Sequence, residues 1–392
     1  MPTVDLEYAM FSRQDMERRY ARAREEMDRR GLDALFITGE ENFQYFAGTA
    51  ASAALHASLT RPSVFILPLE GAPIVVTQGQ DNLALGSYVS DVRGYTDLFE
   101  FPQAVVIQAL RDAGTAGGSV GAELGQEQRM GMPPGAYQDL ISALPNVAFV
   151  DAADVIVRLR MVKSKEEIGY IRQAGDVTAR ARQRLFGMIQ PGMTERETVR
   201  LLRRLILDEG GDGTSFVMLL LGIPGSRNPF GYDRPLEAGQ VVGVDAGARV
   251  GMYTIDYTRW GVLGAATDAL RRLYDALLEV NRSMAAALGP GVTCSDIYGV
   301  GNDAIDKACS RMAGLERFGP SRMGHGQGML ITEPPSIHPD DQTPLAPGMV
   351  LSTEPGLSAA GVQMLWEDVF VITENGSVKI TEESDDLHEI LS

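Results

Sequence analysis

Four carboxylates, Asp245, Asp256, Glu354 and Glu367, occupy positions that read as buried strands or their ends. Asp256 stands between Ile255 and Tyr257, and Glu367 between Trp366 and Asp368, so neither is set in the polar sequence of a surface loop. An isolated ionised carboxylate in an apolar interior costs more than folding can absorb, so such a set requires cations. A pair of divalent ions meets the requirement; arginines such as Arg249 and Arg259 are the competing partners. His325, one of four histidines, lies between the two carboxylate pairs in Met323-Gly324-His325-Gly326-Gln327-Gly328, where glycines let the backbone approach a ligand closely. A lone histidine is more often structural than a ligand, but this one falls among the acids. An oxygen-rich set with one imidazole suits Mn²⁺, Fe²⁺, Co²⁺ or Zn²⁺ better than a soft, thiolate-seeking metal.

Something must bring these residues together, and an internal repeat supplies the means. Arg234–Gly247 aligns without gaps on Thr343–Gly356: Pro, Leu, Gly, Val and the final Gly coincide, and Asp245 falls on Glu354. Each copy reads as a turn, a buried strand and a carboxylate at its end, and each is followed by a second strand position bearing another acid, Asp256 or Glu367. The expectation is a pseudo-twofold domain with acids converging at its centre. Ser164 with Glu167, and Thr194 with Glu197, form capping boxes that open two helices, the first ending near Pro191-Gly192 and the second at Gly210-Gly211. Further helices are expected from Thr267 to about Leu288 and from Ser295 to about Met312.

Ahead of these, an amphipathic helix at Asp15–Arg30 is followed by a short buried strand, Ala34–Thr38, and further strands at Ser63–Leu67 and Pro73–Thr77. Helical stretches at Phe101–Ala113 and Tyr137–Leu144 alternate with strands at Gly117–Gly121 and Val147–Val150, which makes an α/β domain. The expected division is residues 1–155 and 156–392, and 392 residues with 44% hydrophobic content are enough for two cores.

With 52 acidic and 35 basic side chains, the formal charge of −17 repels phosphate backbones and anionic lipid, so nucleic acid and membrane are not expected partners. Met1–Asp15 carries no signal pattern and no run approaches the ~20 apolar residues of a span, so a cytoplasmic location is expected. Cys294 and Cys309 lack metal or disulfide spacing and are expected to be reduced, buried thiols.

The motifs Asp245-Ala246-Gly247, Ile255-Asp256-Tyr257-Thr258-Arg259, Gly324-His325-Gly326-Gln327-Gly328, Thr353-Glu354-Pro355-Gly356 and Trp366-Glu367-Asp368-Val369 resemble those of the creatinase/prolidase/methionine aminopeptidase family. The resemblance extends to Arg160–Ser164 and to Asn42–Gly48, and so over nearly the whole chain. It implies an α/β (α+β) chain: a small amino-terminal creatinase-like domain followed by a pseudo-twofold "pita-bread" catalytic domain. It implies also that Asp245 and Glu367 bridge two divalent ions, that Asp256 binds one, and that His325 with Glu354 binds the other. Water activated between the ions would be the nucleophile, with Glu354 shuttling its proton. Glu333 stands at a matching position, either as acid/base or substrate clamp or as a structural carboxylate.

Family peptidases carry two auxiliary histidines where this chain offers Phe230 and Thr332. Their loss removes electrostatic help to the tetrahedral intermediate and predicts a tighter, more apolar pocket and weak action on long peptides. The expected reaction is hydrolysis of a C–N bond in a dipeptide or small carboxylate-bearing amide, Xaa-Pro dipeptidase-like. The alternative is a small-osmolyte hydrolase, of ectoine- or creatine-like substrate, or a dimethylsulfoniopropionate-type lyase. Against the lyase, Gly247 stands where that enzyme has an additional Asp. In creatinase-like relatives the amino-terminal domain of one subunit closes the active site of the other. By that resemblance a homodimer is expected, with His56 and Arg61 reaching substrate and Arg61 free to pair with a carboxylate.

Overall fold

In the computed structural model of the chain, which describes residues 9–49, 59–78, 83, 85–223, 228–319 and 321–390, two compact units form, Met1–Arg160 and Met161–Ser392. In the first, helix α1 (Arg13–Arg30) begins at Ser12, whose hydroxyl accepts from the Asp15 amide, and ends at Gly31, which takes the left-handed conformation that a side chain would resist. Strands β1 (Ala34–Ile37), β2 (Val64–Pro68), β3 (Ile74–Thr77), β4 (Asp91–Gly94), β5 (Ser119–Ala122) and β6 (Ala148–Asp151) make one sheet in the order β4-β3-β2-β1-β5-β6. The β1–β2 and β2–β3 pairs are antiparallel and the other three parallel. Helices α3 (Gln103–Asp112) and α4 (Pro134–Ala143) bury Val106, Leu110 and Leu140 against Phe36, Ile66 and Val120.

Two helices of this unit were not expected. The Asn42 motif forms α2 (Glu40–Ala47), whose start at Gly39 has no side-chain cap of its own. The cap comes from Glu123, whose carboxylate accepts from the Thr38 and Gly39 amides at 2.7 and 2.8 Å and from the Asn42 side chain at 2.6 Å. Burial pushes the Glu123 carboxyl up in spite of these donors. The second, α5 (Ala153–Met161), runs across the expected division between residues 155 and 156. Its Arg160 donates to the Asn42 side chain at 2.8 Å, which completes the Glu123–Asn42 network.

The second unit is built on the repeat. Helices α6 (Lys165–Phe186) and α7 (Glu195–Asp208) carry the expected capping boxes, and α9 (Cys294–Arg311) adds a third, Thr293 with Asp296. Helix α8 (Asp268–Ala287) lies before it. The pseudo-symmetry is visible in backbone pairing. Gly192 and Leu236 exchange N–H groups for Leu236 and Met193 carbonyls at 2.8 and 2.7 Å. Gly291 and Leu345 do the same with Leu345 and Val292, both at 2.8 Å. Bridges Thr194–Pro235 and Thr293–Pro344 join each cap to its turn.

After each turn comes a central strand. β8 (Val241–Val250) lies between β7 (Gly213–Leu220) and β10 (Tyr257–Leu263), with β9 (Tyr253–Thr254) pairing on β8 and β19 (His388–Ile390) at the far edge. β14 (Val350–Thr353) lies between β12 (His325–Gly326) and β17 (Asp368–Thr373), flanked by β13 (Glu333–Ser336) and β18 (Gly376–Lys379). A third sheet joins β11 (Leu315–Arg317), β15 (Gly356–Ala359) and β16 (Val362–Leu365). Helix α6 packs on β8 and α8 on β14 and β16, so that both central strands are covered. Trp260 on β10 donates to the Leu365 carbonyl at 2.6 Å and ties the two halves together. Cys294 is buried as expected; Cys309, on the outer part of α9, is only half-buried. Among the described residues no helix is long and apolar enough to cross a membrane.

Candidate metal centre

The two antiparallel pairs, β8–β10 and β14–β17, set the acids face to face. Asp245 lies inside β8 opposite Thr258, and Asp256 immediately precedes β10. Glu354 immediately follows β14 and Glu367 immediately precedes β17, where Thr353 lies opposite Asp368. The sheet pleat and pairing thereby aim four side chains at one centre. Single ligand atoms of Asp256, His325 and Glu367 lie within 4.8 Å of one another, all three residues buried. His325 Nε2 is 3.5 Å from Glu367 and 4.0 Å from Glu354. Asp245 is close enough to Asp256 to act on it both by charge and by hydrogen bond. All five residues singled out in the sequence are thus brought together.

Electrostatics show what the cluster lacks. Burial, and then Asp245 and Glu354, push the Asp256 carboxyl well above the usual range. Burial, and then Asp256, Glu354 and Asp245, do the same to Glu367. The rival cation, Arg259, is occupied elsewhere: it donates to Asp368 at 2.7 Å and to the Glu367 carbonyl at 3.1 Å. Among the described residues no lysine or arginine lies within ion-pair distance of Asp256 or Glu367, and Asp256 Oδ1 is buried without a hydrogen-bond partner. His325 Nδ1 lies 3.1 Å from the Gly326 carbonyl, which can only accept, so the proton sits on Nδ1 and the Nε2 lone pair faces the carboxylates. Burial above all lowers this imidazole's pKa to about 4, so it stays neutral. A lone pair turned toward carboxylates repels them unless a cation lies between. The donor set therefore fits a divalent metal.

Several supporting residues were not apparent in the sequence. The Gln327 side chain accepts from the Asp256 amide at 2.9 Å and donates to the Asp256 carbonyl at 2.7 Å and to Glu367 Oε1 at 3.3 Å, which fixes two ligands at once. Asp368 accepts from Arg259, Lys379, Trp366, Asn281 and Thr381, and Asn281 in turn accepts from Thr353 beside Glu354. The glycines around His325 answer to neighbouring backbone rather than to a ligand: a Cβ on Gly324 would lie 2.1 Å from the Ser352 carbonyl oxygen, and one on Gly326 2.4 Å from that of Pro334. At Gly247 a Cβ would stand 1.6 Å from the Ile255 carbonyl oxygen, so the additional Asp of the lyase has no room here.

The remaining candidates are distributed differently. Glu333 is buried, paired with buried Lys163 at 3.3 Å and accepting from the Leu330 amide at 3.0 Å. Thr332 is half-buried and accepts from Arg322 at 3.3 Å. Phe230 is 64% exposed, its ring 5.8 Å from the Arg203 guanidinium, and so does not form the tight apolar wall expected of it. Arg61 is half-buried in the amino-terminal unit, where its charge acts on Tyr95. His56 lies outside the described residues.

The family model of Metallopeptidase family M24 matches residues 169–374, and that of the Creatinase/Prolidase N-terminal domain matches residues 19–162. The chain belongs to the M24 metallopeptidase family. Among its relatives, a probable dipeptidase PepE of Mycobacterium tuberculosis is 30% identical over 364 residues, covering 89% of this chain and 90% of the relative. An Xaa-Pro dipeptidase of Pyrococcus horikoshii is 26% identical, covering 91% and 94%. Of solved structures, the dipeptidase PepE of Mycobacterium ulcerans superposes with a TM-score of 0.77 at 27% identity, covering 97% of this chain and all 100% of that one. The Xaa-Pro dipeptidase of Bacillus anthracis has a TM-score of 0.81 at 23% identity, covering 95% and 99%, and shows the shared fold.

Proposed function

We propose that the chain is a metal-dependent dipeptidase that hydrolyses the C–N bond of Xaa-Pro and similar dipeptides. Two divalent ions from the group Mn²⁺, Fe²⁺, Co²⁺ and Zn²⁺ would be held by Asp245, Asp256, His325, Glu354 and Glu367. The observation that carries this reading is the neutral His325, its Nε2 lone pair set among carboxylates of which Asp256 and Glu367 have no basic partner among the described residues. The names of the relatives support the dipeptidase reading over the osmolyte alternative.

Bound ions would supply Lewis acidity toward the scissile carbonyl and toward water. The protein's own part is positional. Gln327 fixes the backbone of Asp256 and the carboxylate of Glu367, so the ligands are preorganised. Glu354 is the proton carrier: its side chain is 12% exposed, against 2% for Glu367, and so can meet both water and substrate. It takes the proton of the water that attacks the carbonyl carbon and delivers it to the leaving nitrogen as the C–N bond breaks. Glu354→Gln should therefore lose turnover of Xaa-Pro dipeptides even when saturated with added metal; wild-type turnover by the metal-saturated variant would overturn the role.

The same reading makes the enzyme a cytoplasmic homodimer, with residues 1–155 of one subunit closing the catalytic domain, residues 156–392, of the other. Exposed Leu59, Leu98 and Phe99 in the amino-terminal unit, 53%, 52% and 86% accessible, supply apolar surface for such a contact. Mixed dimers of Arg61→Ala and Glu354→Ala subunits should recover activity if Arg61 acts in trans; hybrids shown to form without recovery would exclude it.

A further inference from the structure

Resting on the dipeptidase reading, one cation near the centre has a use that the metal ligands do not explain. Arg322 precedes His325 by three residues and is half-buried. Its Nη2 donates to Thr332 Oγ1 at 3.3 Å; among the described residues it makes no other hydrogen bond and has no carboxylate within ion-pair distance. A half-buried guanidinium is ordinarily claimed by a carboxylate; this one is held by a neutral hydroxyl. Its charge nonetheless reaches the centre, adding to burial in keeping His325 unprotonated. The arrangement leaves most of a five-donor fork for something that arrives from outside. Thr332 is also the position at which the sequence lacks an auxiliary imidazole. A protonated imidazole there would repel Arg322, whereas a hydroxyl accepts from it.

We propose that Arg322, oriented by Thr332, receives the free carboxylate of the substrate and so restricts the enzyme to small carboxylate-terminated amides. The fork matches a carboxylate bidentately, and a dipeptide bound at the centre carries its carboxylate one residue from the scissile bond. Arg61, the arginine that the sequence suggested for this task, belongs to the other unit.

The test compares binding of L-proline and N-acetylglycine with binding of their amides, by titration calorimetry on the metal-loaded protein, for wild type, Arg322→Ala, Arg322→Lys, Thr332→Val and Arg61→Ala. The wild type should prefer each carboxylate to its amide. Arg322→Ala should lose that preference by roughly 10- to 100-fold, the size expected for a charge-assisted pair. Arg322→Lys should retain part of it and Thr332→Val should weaken it, with metal content unchanged in all variants. In turnover, Arg322→Ala should raise KM for a dipeptide far more than it lowers kcat. No carboxylate preference in the wild type, or a preference that survives Arg322→Ala and falls with Arg61→Ala, overturns the proposal. An Arg322-dependent preference in a protein that hydrolyses no Xaa-Pro dipeptide would sink the dipeptidase reading and leave this one standing.

Discussion

Asp368→Asn tests how the centre is held. The wild-type carboxylate takes Arg259 at 2.7 Å and Thr381 at 2.9 Å on Oδ1, and Trp366 at 2.8 Å and Asn281 at 3.2 Å on Oδ2. An amide nitrogen placed on either side therefore meets donors, and the Arg259 guanidinium, fully buried, loses its nearest charge partner and, among the described residues, keeps only Asp385, at 4.0 Å. Removing one member of such a buried pair costs about 3–5 kcal/mol. For a unit of this size each kcal/mol moves the melting temperature by about 2–4 °C, so a fall of roughly 6–20 °C is expected. Burial alone would raise the Asp368 carboxyl; Arg259, Lys379 and Trp366 outweigh it and hold it below the usual range. Its contribution is thus present above the unfolded carboxylate pKa and lost as pH falls through the lower folded value, so the variant should also show a flatter acid limb. Calorimetric melting of the chelator-treated protein as a function of pH measures both effects, without contribution from bound metal. A shift below about 2 °C, well under that expected for a buried pair, would show that Arg259 is satisfied without Asp368 and that the network does not brace Glu367.

Asp256→Asn should act in the opposite sense. The folded pKa of Asp256 is raised, chiefly by burial, so its contribution is favourable in acid and lost as pH rises through the folded value; near neutrality the metal-free variant should melt above the metal-free wild type, while its metal affinity falls. Equal or lower stability of the metal-free variant would contradict the repulsive cluster. Across a peptide length series, kcat/KM should drop from dipeptide to pentapeptide; a flat series would mean that another group does the work of the imidazoles absent at Thr332 and Phe230. Phe99→Glu should shift the chain from dimer to monomer in sedimentation velocity, and an unchanged dimer would place the interface elsewhere.

The repeat Arg234–Gly247 and Thr343–Gly356 revealed both central strands and the meeting of their acids, because a turn, an apolar strand and an acid at its end leave a periodic mark in one dimension. Helix α2 left no such mark: its cap, Glu123, comes from far along the chain, just past the end of β5. Gln327 stands two residues after His325 among glycines, a polar side chain that fits no surface pattern, and that was an available signal. Asp368 was hidden by its neighbour, since a second acid after Glu367 reads as part of the same site until Arg259 is seen to claim it. The glycines beside His325 were correctly marked as places of close approach, but their neighbours proved to be the Ser352 and Pro334 carbonyls, contacts that only strand pairing reveals. Phe230 shows the limit of placing a side chain by alignment alone, for its ring stands in solvent.

The central claim, that these five residues hold the metal on which hydrolysis depends, is tested most directly by the metal stoichiometry of the Asp256→Ala/His325→Ala double variant, measured by mass spectrometry beside its turnover of Xaa-Pro dipeptides. The wild type should carry up to two divalent transition ions per chain and turn over; the double variant, still folded, should lose metal and activity together. A double variant that retained full metal and full activity would contradict the assignment and place the chemistry elsewhere in the chain.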